Sequence, residues 1–124
     1  QTLRVNTPII HMPFYIRGGY IIPTQDPTNI LSILELRKQP LGILAALDEK
    51  STASGTFMID DGDSTDSLSI GNFIEYDLQF QPDEKGTYQL ACSVKNPNDI
   101  TLDGEYPTIN YVRVIGITED VQEV

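Results

Sequence analysis

The stretch FMIDDGDSTDS, Phe57 to Ser67, sets Asp60, Asp61, Asp63 and Asp66 within seven positions. Clustered carboxylates serve three ends: a calcium site, an acid–base pair or a polar turn. Calcium takes about six to eight oxygen ligands, and an EF-hand loop supplies them at fixed spacing. Counted from Asp61, Asp63 falls at the third place. Asp66, however, stands where the loop needs Gly, and Asn72 stands where the bidentate Glu belongs. The EF-hand pattern fails, which leaves only a looser Asp-rich calcium loop. A retaining glycosidase pair needs two carboxyls about 5 Å apart that face one substrate. Neighbours on one exposed turn do not converge in that way. The favoured reading is a turn leaving a strand, its aspartates bonding nearby backbone N–H groups.

Other reactive types are sparse. Cys92 is the single cysteine and His11 the single histidine. An intrachain disulfide, a cysteine zinc cluster and a Ser–His–Asp arrangement are therefore excluded. A lone thiol suits the cytosol, and equally a piece of a secreted protein. His11, between Ile10 and Met12, reads as a surface or core-edge residue. Arg17, ahead of Gly18 and Gly19, is placed to clamp an anion or, more simply, to form a structural salt bridge. Tyr15, Tyr20, Tyr76, Tyr88, Tyr106 and Tyr111 are candidates for a sugar platform. Within alternating strands such rings are more often core or cross-strand pairs, and the absence of Trp weakens a sugar face further. No P-loop, G-x-S-x-G or H-E-x-x-H motif occurs, and no catalytic, cofactor-binding or metal-binding residue is assigned.

The elements that must position these residues are short. A chain of 124 residues with 40% hydrophobic content and a net charge of −10 is long enough to bury a core. The acid excess repels phosphate backbones and anionic membrane surfaces, so neither nucleic acid nor membrane is an expected partner. No apolar run approaches the roughly 20 residues that span a bilayer. The start at Gln1, with no Met or apolar leader, is expected of an excised or processed chain.

Pro8, Pro13, Pro23 and Pro27 forbid a helix across the first block, which reads as two short strands hinged at Gly18–Gly19. NILSILELRK fits either a short helix capped near Asn29 or an extended segment. Leu41 to Leu47 reads as a buried strand and Gly55 to Ile59 as its hairpin partner across DEKSTAS. Ile74, Tyr76, Leu78 and Phe80 alternate with polar residues, as do Tyr88, Leu90, Cys92 and Val94, and this period of two marks half-buried strands. QPDEKG and NPND are turns. TINYVRVIGI is a β-branched strand followed only by the acidic TEDVQEV, so residues 109–117 are expected at a sheet edge, open to self-association. The fold class is all-β, an antiparallel β-sandwich.

FYIRGGYIIPTQDP, RKQPLGILAALDE and SGTFMIDDGDSTDS together resemble, in order and spacing, the segment that follows the catalytic barrel in glycoside hydrolase family 31. The α-glucosidases of the maltase, sucrase–isomaltase and lysosomal type come nearest. The resemblance covers residues 8 to about 67 and fades to a strand-pattern match from Gly71 to Ile117. It implies a proximal C-terminal β-sandwich over residues 1–70 and the start of a distal one over 71–124, or the two packed as one continuous β unit. It further implies a parent enzyme that hydrolyses α-linked glucosides with two barrel aspartates. Those aspartates are not carried over, because the nucleophile motif DMNE is missing here. The Trp that often precedes DDG in the family is also missing; Met58 and Ile59 stand there.

The resulting expectation is a non-catalytic β-module that braces the catalytic (β/α)8 barrel of a parent α-glucosidase, its main partner. The resemblance places that parent in the secretory pathway, in the lysosome or outside the cell. The rivals are a stand-alone carbohydrate-binding module, which needs coplanar exposed aromatics, and a calcium-dependent interaction domain, which needs converging aspartates.

Overall fold

Leu41 to Ala46 is apolar at almost every position, and such a run is stable only where both faces are covered. In the computed structural model, which describes residues 2–84, 86–95 and 107–117, it forms a strand with a neighbour on each side. The elements run β1 (Tyr20–Thr24), α1 (Ile33–Arg37), β2 (Leu41–Ala46), β3 (Ala53–Asp60), α2 (Ser67–Ile70), β4 (Phe73–Pro82), β5 (Tyr88–Val94) and β6 (Ile109–Ile115). Among the described residues the six strands join one sheet in the order β5-β4-β3-β1-β2-β6. The fold class is all-β.

Ile21, Ile43, Ala45, Leu47, Ala53, Leu78 and Phe80 form the buried cluster, with Phe57, Tyr88, Leu90 and Val114 packed against it. Every strand thus gives a side chain to one core, which requires the sheet to curl over itself. Ile43 and Leu78 are fully buried, and such a side chain contributes about 1.5–3 kcal/mol relative to exposure. Hydrogen bonds cross residue 71 without a break, because β4 pairs with β3 over its whole length, from Ala53↔Phe80 to Asp60↔Phe73.

The structure corrects the sequence-based expectations in several places. β2 and β3 are not a hairpin: β1 lies between them, antiparallel to β2 and touching β3 in parallel at Tyr20↔Ser54. Pro23 has no N–H to offer a second ladder, in keeping with that single bridge. No strand forms ahead of the glycines. Residues 2–19 carry only turns, with His11 N donating to Pro8 O at 2.8 Å, and Gly19 takes φ 91° as the chain enters the sheet. Within the segment 28–39 a helix forms over Ile33–Arg37 alone, and its cap is Ser32, whose Oγ accepts from Glu35 N at 3.2 Å. Asn29 instead adopts a left-handed φ of 63°.

The sheet is mixed. β6 runs parallel to β2, a direction open to it because a long connection separates it from β5. Leu41 pairs with Ile109 and Gly42 with Tyr111, so Asn110 is an extra residue in the ladder. The Tyr111 ring lies across Gly42, in space that any β-carbon there would fill, and its hydroxyl reaches Thr24 Oγ1 on β1 at 3.1 Å. The alternation read in β4 holds at Leu78 and Phe80. In β5 it holds only for Tyr88 and Leu90, while Cys92 and Val94 are exposed near the strand's end. β6 is the end strand of the sheet among the described residues. The NPND turn and the TEDVQEV tail lie outside the described residues.

Candidate functional site

β3 ends at Asp60, and the turn that follows brings the aspartates together with α1 and α2. Asp60 Oδ1 accepts from Gly62 N at 3.0 Å and from Arg37 Nη2 at 2.9 Å, and its Oδ2 accepts from Ser67 Oγ at 3.3 Å. The same Arg37 nitrogen donates to the Asp60 carbonyl at 2.6 Å. Gly62, at φ 75°, lies flat against the guanidinium, where a β-carbon would collide with it. Asp61 Oδ1 accepts from the backbone N–H groups of Asp63 and Ser64 at 3.1 and 3.0 Å. Its Oδ2 takes the Ser64 hydroxyl and, at 3.0 Å, Asn72 Nδ2.

The electrostatics follow from these partners. The Arg37 hydrogen bond, ahead of the bonds from Gly62 and Ser67, holds the Asp60 carboxyl below its ordinary range against the opposing effect of burial. The Ser64 hydroxyl, then the Ser64 and Asp63 amides, lower Asp61 to about 2. Both groups are ionised and already bonded at neutral pH. They point at their own turn rather than at one shared point. Among the described residues no group of three or more His, Cys, Asp or Glu side chains is placed to hold a metal ion. The bonds from Gly62 N to Asp60 and from Asp63 N and Ser64 N to Asp61 are those of a turn closed by its own side chains. Asp66 precedes α2 without making a side-chain cap. Asp48 builds a smaller turn of the same kind, accepting from Lys50 N and Thr52 N at 2.9 Å each.

The remaining candidates scatter. His11 is exposed. Arg17 lies over the Tyr20 ring, 5.8 Å from its centroid. Tyr76 stacks on Phe57 at 4.8 Å and Tyr88 on Phe80 at 5.6 Å, the cross-strand use of aromatics expected for a sheet. Tyr106 lies outside the described residues.

Gln25 and Arg37 are the residues that sequence reasoning missed. Gln25 Nε2 donates to the carbonyls of Leu36 and Gln39 at 2.9 Å each, closing the C-terminal end of α1. Arg37 ties that helix to the aspartate turn. Both border a cleft of about 170 Å³ floored by Phe57, Met58 and Ile59. No local pattern marks either one, because their partners lie 11 to 23 residues away.

No protein-family model matches the chain. It aligns over its whole length with intestinal sucrase-isomaltase of Homo sapiens, 32% identical over 124 residues that make up 6% of that protein. Glucoamylase 1 of Candida albicans is 51% identical over 101 residues, 79% of this chain and 10% of the relative. A crystal structure of the glucosidase II alpha subunit shares the fold, with a TM-score of 0.65 at 21% identity over 82% of this chain and 11% of that one. The chain therefore spans about a tenth or less of the length of the relatives it matches. The fold and these alignments define an all-β segment of carbohydrate-cleaving enzymes. The chain is homologous to a segment of the glycoside hydrolase family 31 α-glucosidases.

Proposed function

We propose that this chain is a non-catalytic C-terminal β-module of an α-glucosidase and that it braces the catalytic barrel of the same polypeptide. The alignment of the entire chain with 6% of sucrase-isomaltase carries the reading. The engagement of Asp60 and Asp61 in their own turn supports it, since neither carboxylate is poised toward a partner acid. On this reading residues 1–70 take the proximal position and 71–124 begin the distal one, joined as one β unit by the β3–β4 ladder. The parent enzyme hydrolyses α-linked glucosides and travels the secretory pathway to the lysosome or the cell exterior. No helix among the described residues is long and apolar enough to cross a membrane.

The test is twofold. The chain alone should show no turnover of maltose or an aryl α-glucoside, and deleting it from the parent should lower the parent's melting temperature. Turnover by the isolated chain that disappears with Asp60→Asn or Asp61→Asn would sink the reading.

A further inference from the structure

Apolar side chains are unevenly exposed in this molecule. Ile9, Ile10, Met12 and Phe14 are each more than 80% exposed, Leu3 73% and Tyr15 66%. All lie in residues 2–17, ahead of the sheet, where no strand or helix forms. Pro8 and Pro13 deny this arm both a helix and a continuous ladder, so it has no means of burying those side chains by itself. So many exposed apolar side chains in one short segment mark an interaction site. Charge sets the arm apart as well. Arg4 and Arg17 fall within the first 25 residues, where there is no acid, although the whole chain carries −10.

We infer that residues 2–17 form a docking arm that lies in an apolar, carboxylate-rimmed groove on the remainder of the same polypeptide. This rests on the module reading above and says which part of the module makes the contact. Two observations favour this occupant. The relatives devote about nine-tenths of their length to sequence outside the matched segment, which supplies a covalently tethered partner at high effective concentration. The local positive charge suits an acidic rim and excludes a basic one. The rigid sheet fixes the arm at Gly18–Gly19, where Gly19 N donates to Ala46 O and Gly19 O accepts from Ser54 N, so the arm leaves the core in a defined direction.

Hydrogen exchange read by mass spectrometry tests this on the full-length polypeptide that contains the chain and on the 124-residue chain alone. Arm amides should exchange about tenfold or more slowly in the full-length protein than in the isolated chain. The double variant Met12→Asp, Phe14→Asp should remove that difference while β2, β3 and β4 stay protected. If α1, α2 or β6 slows in the full-length protein while the arm does not, the inference is overturned and the module reading stands. If no part of the chain is slowed by the rest of the polypeptide, both fall. Arm protection that appears in the isolated chain as its concentration rises would assign the groove to a second copy, and would equally overturn the inference.

Discussion

One nitrogen of Arg37 binds Asp60 twice, at 2.9 Å to the carboxylate and at 2.6 Å to the backbone carbonyl. The two residues lie 23 positions apart, and the bond fastens α1 to the end of β3. Side chain and main chain are held by the same donor, so the direction in which the chain leaves the strand is fixed along with the charge pair. Gly62 completes the arrangement by leaving room for the guanidinium.

Breaking that bond has a modest, measurable cost. The pair is partly exposed, at 37% for Arg37 and 27% for Asp60, so solvent screens it and about 1 kcal/mol is the appropriate scale. For a chain this size that corresponds to a melting point roughly 4 °C lower. Arg37→Ala and Asp60→Asn in a urea double-mutant cycle should each destabilise, with the double variant less than additive. Full additivity would show the bond to be energetically silent.

Tyr111 and Gly42 form a second contact that mutation can address. Gly42→Ala puts a methyl into the Tyr111 ring, and overpacking of this kind costs about 1–3 kcal/mol. Adding Tyr111→Ala should recover part of the loss, because the ring is the obstacle. If Gly42→Ala is as stable as the wild type in denaturant melts, the ring does not lie across β2 in solution.

Acid should act on the turn late. Asp61 falls from 3.8 to about 2 in the folded chain. A carboxyl with a depressed folded pKa contributes stability above its unfolded value and loses it as pH falls through the folded one. The Asp61 contribution should therefore persist at pH 4 and disappear between about pH 4 and pH 2. A carboxyl-detected NMR titration should place its midpoint near 2, and Asp61→Asn should flatten that limb of the stability curve. A midpoint at 3.8 or above contradicts the Ser64 and backbone bonds.

Calcium at millimolar concentration should leave the melting temperature unchanged, because the oxygens of Asp60 and Asp61 already accept from the chain's own donors. A site filled at 100 times its dissociation constant would add about 2.7 kcal/mol, a rise of several degrees. A shift of that size, lost with Asp61→Asn and Asp63→Asn, would restore the metal reading.

Among the described residues β6 has a neighbour on one side only, and its other edge should draw chains together. Val112 is 45% exposed, whereas Val114 packs on the core. Val112→Lys is therefore the variant expected to weaken a dimer seen by analytical ultracentrifugation at high micromolar concentration. A wild-type chain that stays monomeric there would show that the edge is blunted.

The strands were legible wherever burial is dictated locally. The apolar run at Leu41–Leu47, the alternation through Leu78 and Phe80 and the polar turn after Ile59 each follow from neighbouring residues. Strand order was not legible. Consecutive strands usually pair, and nothing in DEKSTAS reveals that β1 already occupies the place beside β2. The turn could be read from its own Asp and Gly spacing. Its anchor could not, because Arg37 looks like any helix-terminal base until the fold brings β3 to it.

The parallel pairing of β6 with β2 sets a timetable for biosynthesis. When Ala46 has left the ribosome, the strand that will cover the outer edge of β2 is still roughly 60 residues from being made, a wait of about 3 to 12 s at ordinary translation speeds. Through that interval Ile43 and Ala45 sit in a strand with one bare flank. The nascent sheet then offers an unpaired edge, and a chain cut short before Ile109 would keep that edge open for chaperones to recognise.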